Sequence, residues 1–146
     1  PGCLAGEAKA RQGVARAMID IDMACVYAGG LMHLGWAVFH LLFRRLFKWT
    51  ATLATVDPVN QGIMRIMNLC LVYYFLAAAF LSWYWAPELL DTDLGRQVLG
   101  LMAGFWLLRL GLQFSYFKIG HPLSLLLSFL FMLSAAAYAF PLWYGA

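Results

Sequence analysis

The sequence predicts an all-α fold, with four transmembrane helices in an antiparallel bundle and a short amphipathic helix before them. Of the 146 residues, 64% are hydrophobic and only 12% are charged, whereas soluble domains are about 45–50% apolar and about 25% charged. The chain also contains four apolar runs of about 20 residues, the length a helix needs to cross the hydrocarbon core. The composition and the small net charge of +3 exclude a disordered chain and a nucleic-acid binder.

The chain divides into a polar N-terminal segment, residues 1–22, and a transmembrane region, residues 23–146. We place the four spans at residues 23–43, 62–85, 97–117 and 122–144. Apolar side chains of the N-terminal segment fall on one helical face at Val14, Met18 and Ile21, and Cys25 just beyond it continues this face. Two alternatives follow: this segment lies along the membrane interface, or it extends the first helix into solvent.

Local sequence signals mark the ends of the spans. Asp57-Pro58 has the pattern of an N-cap followed by proline at the first helical position, and Pro87 stops the second span. The acidic segment 91–93 suits the N-terminus of the third helix. Gly120 is predicted to cap the end of the third helix, with Pro122 at the start of the fourth.

The loops predict an orientation in what we expect to be a bacterial inner membrane. Basic residues follow span one at Arg44, Arg45 and Lys48, and Lys118 follows span three, whereas the loop after span two is mainly acidic. The positive-inside rule therefore places the loops after spans one and three in the cytoplasm and both termini outside. Basic residues in the N-terminal segment argue for the opposite orientation.

Polar and ionisable side chains inside the spans are the candidate functional residues, because such groups are costly in lipid. They occur in pairs on spans one, two and three: His33 and His40, Arg65 and Asn68, and Arg109 and Gln113. No Asp or Glu lies within the four spans, so the arginines need another partner. Water, backbone carbonyls, a lipid headgroup, a bound ligand or an acidic residue of another subunit could supply it.

These residues support three functional hypotheses. The first is a non-catalytic subunit of a larger membrane complex or homo-oligomer, whose partners are lipids and other subunits or further copies of the chain. The alternative is a binding or transport protein for an anionic or amphipathic small molecule, with a cationic cluster in the cytoplasmic half of the bundle formed by Arg109, Gln113, Arg65, Asn68 and His40. A third hypothesis is a membrane enzyme with His33 or His40 as general base, although no sequence pattern indicates a particular reaction.

No cofactor is predicted. His40 and His121 are the two histidines best placed to ligate a haem b, and two is the minimum for such a site, but no other feature supports haem. A zinc site needs more ligands than this sequence offers.

Close helix packing is predicted at small residues that recur at the spacing common in membrane helix contacts. These residues are Gly100, Gly104 and Gly111 on span three, and Ser124 and Ser128 on span four.

Overall fold

The computed structural model describes residues 2–117 and 120–144, with side chains for residues 12–14, 16–117 and 120–143. The described residues form six α-helices and a short 3-10 helix, Leu53–Thr55, and contain no strand. The α-helices are α1 Gly2–Leu46, α2 Trp49–Thr52, α3 Pro58–Tyr84, α4 Ala86–Asp91, α5 Asp93–Tyr116 and α6 Pro122–Tyr144. Of these, α1, α3, α5 and α6 are long and apolar enough to cross a membrane. The predicted all-α fold with four spans is confirmed.

The N-terminal segment is helical, as predicted, and it continues into the first span without a break. Its apolar positions are largely uncovered, since Val14 is 61% exposed and Ile21 is 49% exposed. The continuity fits the alternative in which this segment extends the first helix beyond the bundle.

Side-chain caps begin α3 and α5 where the sequence predicts. Asp57 Oδ2 accepts hydrogen bonds from the backbone N–H groups of Val59 and Asn60, at 3.0 and 3.3 Å. At α5 the cap is Thr92, whose Oγ1 accepts from the Gly95 N–H at 2.9 Å. These caps satisfy amide groups that the first turn of a helix otherwise leaves without partners.

The end of α5 differs from the prediction at Gly120. The helix ends at Tyr116, and Phe117 takes an extended backbone with φ −124° and ψ 144°. Its N–H still bonds to Gln113 O at 3.0 Å, but its own backbone is no longer helical. An extended residue therefore ends the helix without a glycine. Lys118, used above for orientation, lies outside the described residues.

The spacing between helices depends on small residues in α1 and on large rings between α3 and α5. A Cβ at Gly29 would lie 2.5 Å from Tyr138 Cζ, and one at Gly30 would lie 2.7 Å from Trp83 Nε1. These glycines let α1 approach α6 and α3 closely. Contact between α3 and α5 is made instead by rings, such as Tyr74 and Phe105 with centroids 4.9 Å apart.

Most of the predicted glycine stripe on α5 has no close neighbour in the described part of this chain. No atom lies within 4 Å of a Cβ built at Gly104 or Gly111, and a Cβ at Gly100 would meet only Leu142, at 3.8 Å. Of the predicted serines, Ser124 is buried and Ser128 is partly buried. Among the described glycines, the close helix contacts are instead those of Gly29 and Gly30 on α1 and of Gly95, which packs α5 against α4. The spacing rule singled out none of these three.

Candidate functional site

Two cavities open at the same end of the bundle, where α1 and α5 finish and α3 and α6 begin. The larger, which we call the Arg109 cavity, has a volume of about 750 Å³. The smaller, the Arg44–Arg65 cavity, has a volume of about 320 Å³ and lies between α1, α2 and α3. The six candidate residues are divided between them: Arg109 and Gln113 line the first, Arg65 and Asn68 line the second, His40 lines both and His33 lines neither.

Arg109 is partly buried and is held by neutral groups. Its Nη1 donates to Gln113 Oε1 at 3.0 Å, and its Cζ lies 4.5 Å from the centre of the Phe131 ring. Gln113 is itself fixed, because its Nε2 donates to Ser124 Oγ at 3.0 Å. Gln113 is 1% exposed and Ser124 is 8% exposed. The guanidinium is thus held in place without a carboxylate partner among the described residues.

The wall of the Arg109 cavity is mainly aromatic. Its rings come from all four spanning helices and from the segments that follow α1 and α5: Trp36, Phe39, Phe43, Phe47, Trp49, Phe75, Phe105, Trp106, Phe117 and Phe131. Besides Arg109, the polar lining side chains are Gln113, Ser124, His40 and His121, and no Asp or Glu is among the lining residues. The Trp106 Nε1 is buried and has no hydrogen-bond partner within the described residues. The cavity therefore combines a large apolar surface with one fixed cation.

His40 and Asn68 form a pair between the two cavities. Asn68 Nδ2 donates to the His40 backbone oxygen at 3.0 Å, and Asn68 Oδ1 lies 2.9 Å from His40 Nδ1. The imidazole also stacks on Phe43, with ring centroids 4.2 Å apart. Because an amide oxygen only accepts, His40 Nδ1 carries the proton in this bond. The pair joins α1 to α3.

The Arg44–Arg65 cavity brings two arginines together from different helices. Arg44 lies in the last turn of α1, and Arg65 lies in the third turn of α3. The only hydrogen bond of the Arg65 side chain within the described residues is to Gln61 Oε1, at 3.5 Å. Arg44 was not among the residues predicted for the site. Its position beside Arg45, directly after span one, is the sequence signal that could have identified it.

His33 is in the core of the bundle. It is completely buried, and its Nδ1 lies 2.7 Å from the Tyr138 hydroxyl and 3.2 Å from Gly29 O. The ring also packs against Trp106, with centroids 5.2 Å apart. Its contacts are those of a structural side chain that links helices.

The structure brings the two histidines considered for haem, His40 and His121, to one cavity. The Nδ1 atom of each is already engaged, since His121 Nδ1 accepts from the Leu123 N–H at 3.2 Å and His40 Nδ1 pairs with Asn68. Among the described residues, no group of three or more His, Cys, Asp or Glu side chains could hold a metal ion.

Besides Arg44, the site components that the sequence did not predict are Ser124 and the aromatic residues. Ser124 was noted only as a packing residue, yet its hydroxyl fixes Gln113 across the α5–α6 contact. The signal that could have found it is its place two residues after Pro122, at the same depth as Gln113 near the end of span three.

Comparison with family models, with curated proteins and with solved structures finds no match to this chain.

Proposed function

We propose that this chain binds an amphipathic small molecule with one acidic group, with that group on Arg109 and the apolar body against the aromatic wall. The observation that carries the proposal is a partly buried guanidinium in a cavity of about 750 Å³, with no carboxylate partner among the described side chains. This volume lies within the roughly 300–1,000 Å³ typical of small-molecule sites.

The charge of Arg109 supports an anionic ligand. Removing a cation from water costs several kcal/mol unless an opposite charge compensates for it. Gln113 and Phe131 provide only a carbonyl dipole and a ring face. A guanidinium has five N–H donors, and Gln113 accepts from one of them. The remaining donors can bind a planar carboxylate through two parallel hydrogen bonds, a strong and directional arrangement.

The aromatic wall supports an apolar body. Phe75 and Trp106 stack with an interplanar angle of 6°, and Trp36 stacks on Phe131 with centroids 4.8 Å apart. When the apolar body of a ligand packs against such rings, its surface leaves water or lipid headgroups. This burial stabilises the complex by about 25 cal/mol for each Å² of apolar surface. An unbranched chain or a flat ring system would cover the exposed faces and edges of these rings, whereas a small hydrophilic anion would leave this surface uncovered.

A binding experiment with three twelve-carbon probes tests the proposal. Dodecanoate, dodecanol and dodecyltrimethylammonium are titrated into the protein in phosphatidylcholine nanodiscs, with tryptophan fluorescence as the readout. We expect dodecanoate to bind at least about tenfold more tightly than dodecanol, because a hydrogen bond to a charged group contributes about 1.5–3 kcal/mol. The cationic probe should bind most weakly. Arg109→Gln should abolish the preference for the acid.

The matched control is Arg45→Gln, which removes one exposed positive charge that lines neither cavity. This variant should keep the preference for dodecanoate. Equal binding of acid and alcohol by the wild-type protein would contradict the proposal. Equal loss of the preference in both variants would also contradict it, because the effect would then come from overall charge.

A further inference from the structure

The Arg44–Arg65 cavity has a charge pattern that the proposed function does not use. It is lined by His40, Leu41, Arg44, Trp49, Thr50, Arg65, Asn68 and Leu69, and neither Arg109 nor Gln113 is among these residues. Conversely, Arg44 and Arg65 do not line the Arg109 cavity. The two cavities are neighbours that share only His40 and Trp49, so a ligand in one does not need the other.

Two like charges meet in this small cavity, and no carboxylate is among its described lining residues. Arg65 contacts Gln61 at 3.5 Å, and Arg44 has no hydrogen bond or ion pair within the described residues. The acidic side chain at the start of α3, Asp57, is occupied in capping that helix. Bringing two guanidinium groups to one cavity raises the electrostatic energy of the free chain, and a bound anion lowers it.

The other lining residues narrow the class of anion. His40 and Asn68 already bond to each other. Within the described residues this leaves the Arg44 guanidinium, the N–H groups of Arg65 that do not contact Gln61, and the Thr50 hydroxyl to bind a ligand. Arginine is the side chain best suited to phosphate, because its planar fork donates two parallel hydrogen bonds. Two forks and a hydroxyl match the oxygens of one phosphate group better than a single carboxylate.

The residues around the cavity indicate that it lies at the level of the membrane surface. Trp49 lines the cavity, and tryptophan favours the level of lipid headgroups. Leu41 and Leu69 lie on the same wall and are 57% and 62% exposed, as expected for side chains that contact acyl chains. We infer that the Arg44–Arg65 cavity binds the phosphate of an anionic phospholipid, with Leu41 and Leu69 against its acyl chains. Basic cavities between transmembrane helices bind anionic headgroups in the same way.

Native mass spectrometry of protein released from mixed nanodiscs tests this inference. The nanodiscs contain equal amounts of phosphatidylglycerol and phosphatidylcholine, whose acyl chains are chosen to differ in mass. The expected result is retention of phosphatidylglycerol over phosphatidylcholine by at least about tenfold, the ratio that a single charge-assisted hydrogen bond of this kind provides. The double variant Arg44→Gln with Arg65→Gln should lose this preference.

The neighbouring Arg45 offers a matched control. It is exposed, adjacent in sequence to Arg44, and does not line the cavity, so Arg45→Gln should retain the preference. Arg109→Gln should retain it too, which separates this inference from the proposed function. The single variants Arg44→Gln and Arg65→Gln alter exposed side chains and should each lose part of the preference, so the test stands even if the double variant fails to fold.

Three outcomes would overturn the inference. The first is equal retention of the two lipids by the wild-type chain. The second is a loss in Arg45→Gln as large as in the double variant, which would indicate nonspecific attraction to the positive surface. The third is full displacement of phosphatidylglycerol by a modest excess of glycerol phosphate, which would identify a soluble phosphate compound as the occupant.

Discussion

The Tyr138 hydroxyl of α6 lies 2.7 Å from His33 Nδ1 of α1, and it lies 2.8 Å from Ser82 Oγ of α3. Ser82 donates to Ala78 O at 2.8 Å, and His33 Nδ1 lies 3.2 Å from Gly29 O. Backbone carbonyls only accept, so the Ser82 hydroxyl proton points to Ala78 O and the Tyr138 hydroxyl donates to Ser82. The Tyr138 oxygen then accepts from His33, whose Nδ1 carries the proton. A single hydrogen-bonded chain thus joins three spanning helices in the core.

Removing the Tyr138 hydroxyl should destabilise the bundle. Tyr138→Phe keeps the ring but leaves the His33 N–H with only the longer contact to Gly29 and leaves Ser82 without its donor. Leaving buried polar groups without partners costs about 1–3 kcal/mol. Reversible unfolding in mixed micelles measures the free energy of unfolding. The control is Tyr73→Phe, because Tyr73 is 76% exposed. Equal stability of the two variants would contradict a structural role for this network.

The close approach of α1 and α6 predicts that Gly29 does not accept a methyl group. Gly29→Ala would place a Cβ 2.5 Å from Tyr138 Cζ, and overpacking of this kind costs about 1–3 kcal/mol. Gly35→Ala on the same helix is the control, because no described residue packed against α1 comes within 4 Å of a Cβ built at this position. Thermal unfolding in detergent should show a lower transition temperature for the first variant alone. A similar decrease in both would show that the effect is not steric.

Local chemistry explains which features could be predicted from the sequence. The four spans follow from hydropathy, and the start of α3 follows from Asp57-Pro58, because both signals depend on neighbouring residues. The division of the polar residues between two cavities depends on how the helices pack. Helical spacing places His33 and His40 on one face of α1, but seven residues separate them by about 10 Å of depth, so His33 lies in the core and His40 at the cavities.

Orientation remains a prediction of the positive-inside rule, and labelling of single cysteines can measure it. In a variant without native cysteines, Thr50→Cys lies at the end of the bundle where both cavities open, and Glu88→Cys lies at the opposite end. Both native side chains are exposed. We expect a membrane-impermeant maleimide added to intact cells to label Glu88→Cys only. Labelling of Thr50→Cys alone would show that the cavities open to the outside.

Assembly with other subunits or with further copies also stays a prediction. The uncovered glycines of α5 permit close approach of another helix, since nothing described lies within 4 Å of a Cβ at Gly104 or Gly111. We expect native mass spectrometry in a mild detergent to show a mass well above the 16.4 kDa of one chain. Gly104→Leu with Gly111→Leu should reduce that mass if α5 forms the contact. A stable monomer without a co-purifying chain would contradict this prediction.

Gln113 should act on ligand binding as a positioning residue, because it fixes the Arg109 guanidinium and is fixed in turn by Ser124. Gln113→Glu keeps the size of the side chain but supplies a carboxylate to Arg109, so we expect it to remove the preference for dodecanoate over dodecanol while dodecanol binding is retained. Ser124→Ala should weaken dodecanoate binding by about threefold to tenfold through loss of one buried hydrogen bond. Ser128→Ala, one turn further along α6 and outside the cavity lining, should leave binding unchanged. If Gln113→Glu still prefers the acid, Arg109 is not the group that binds it.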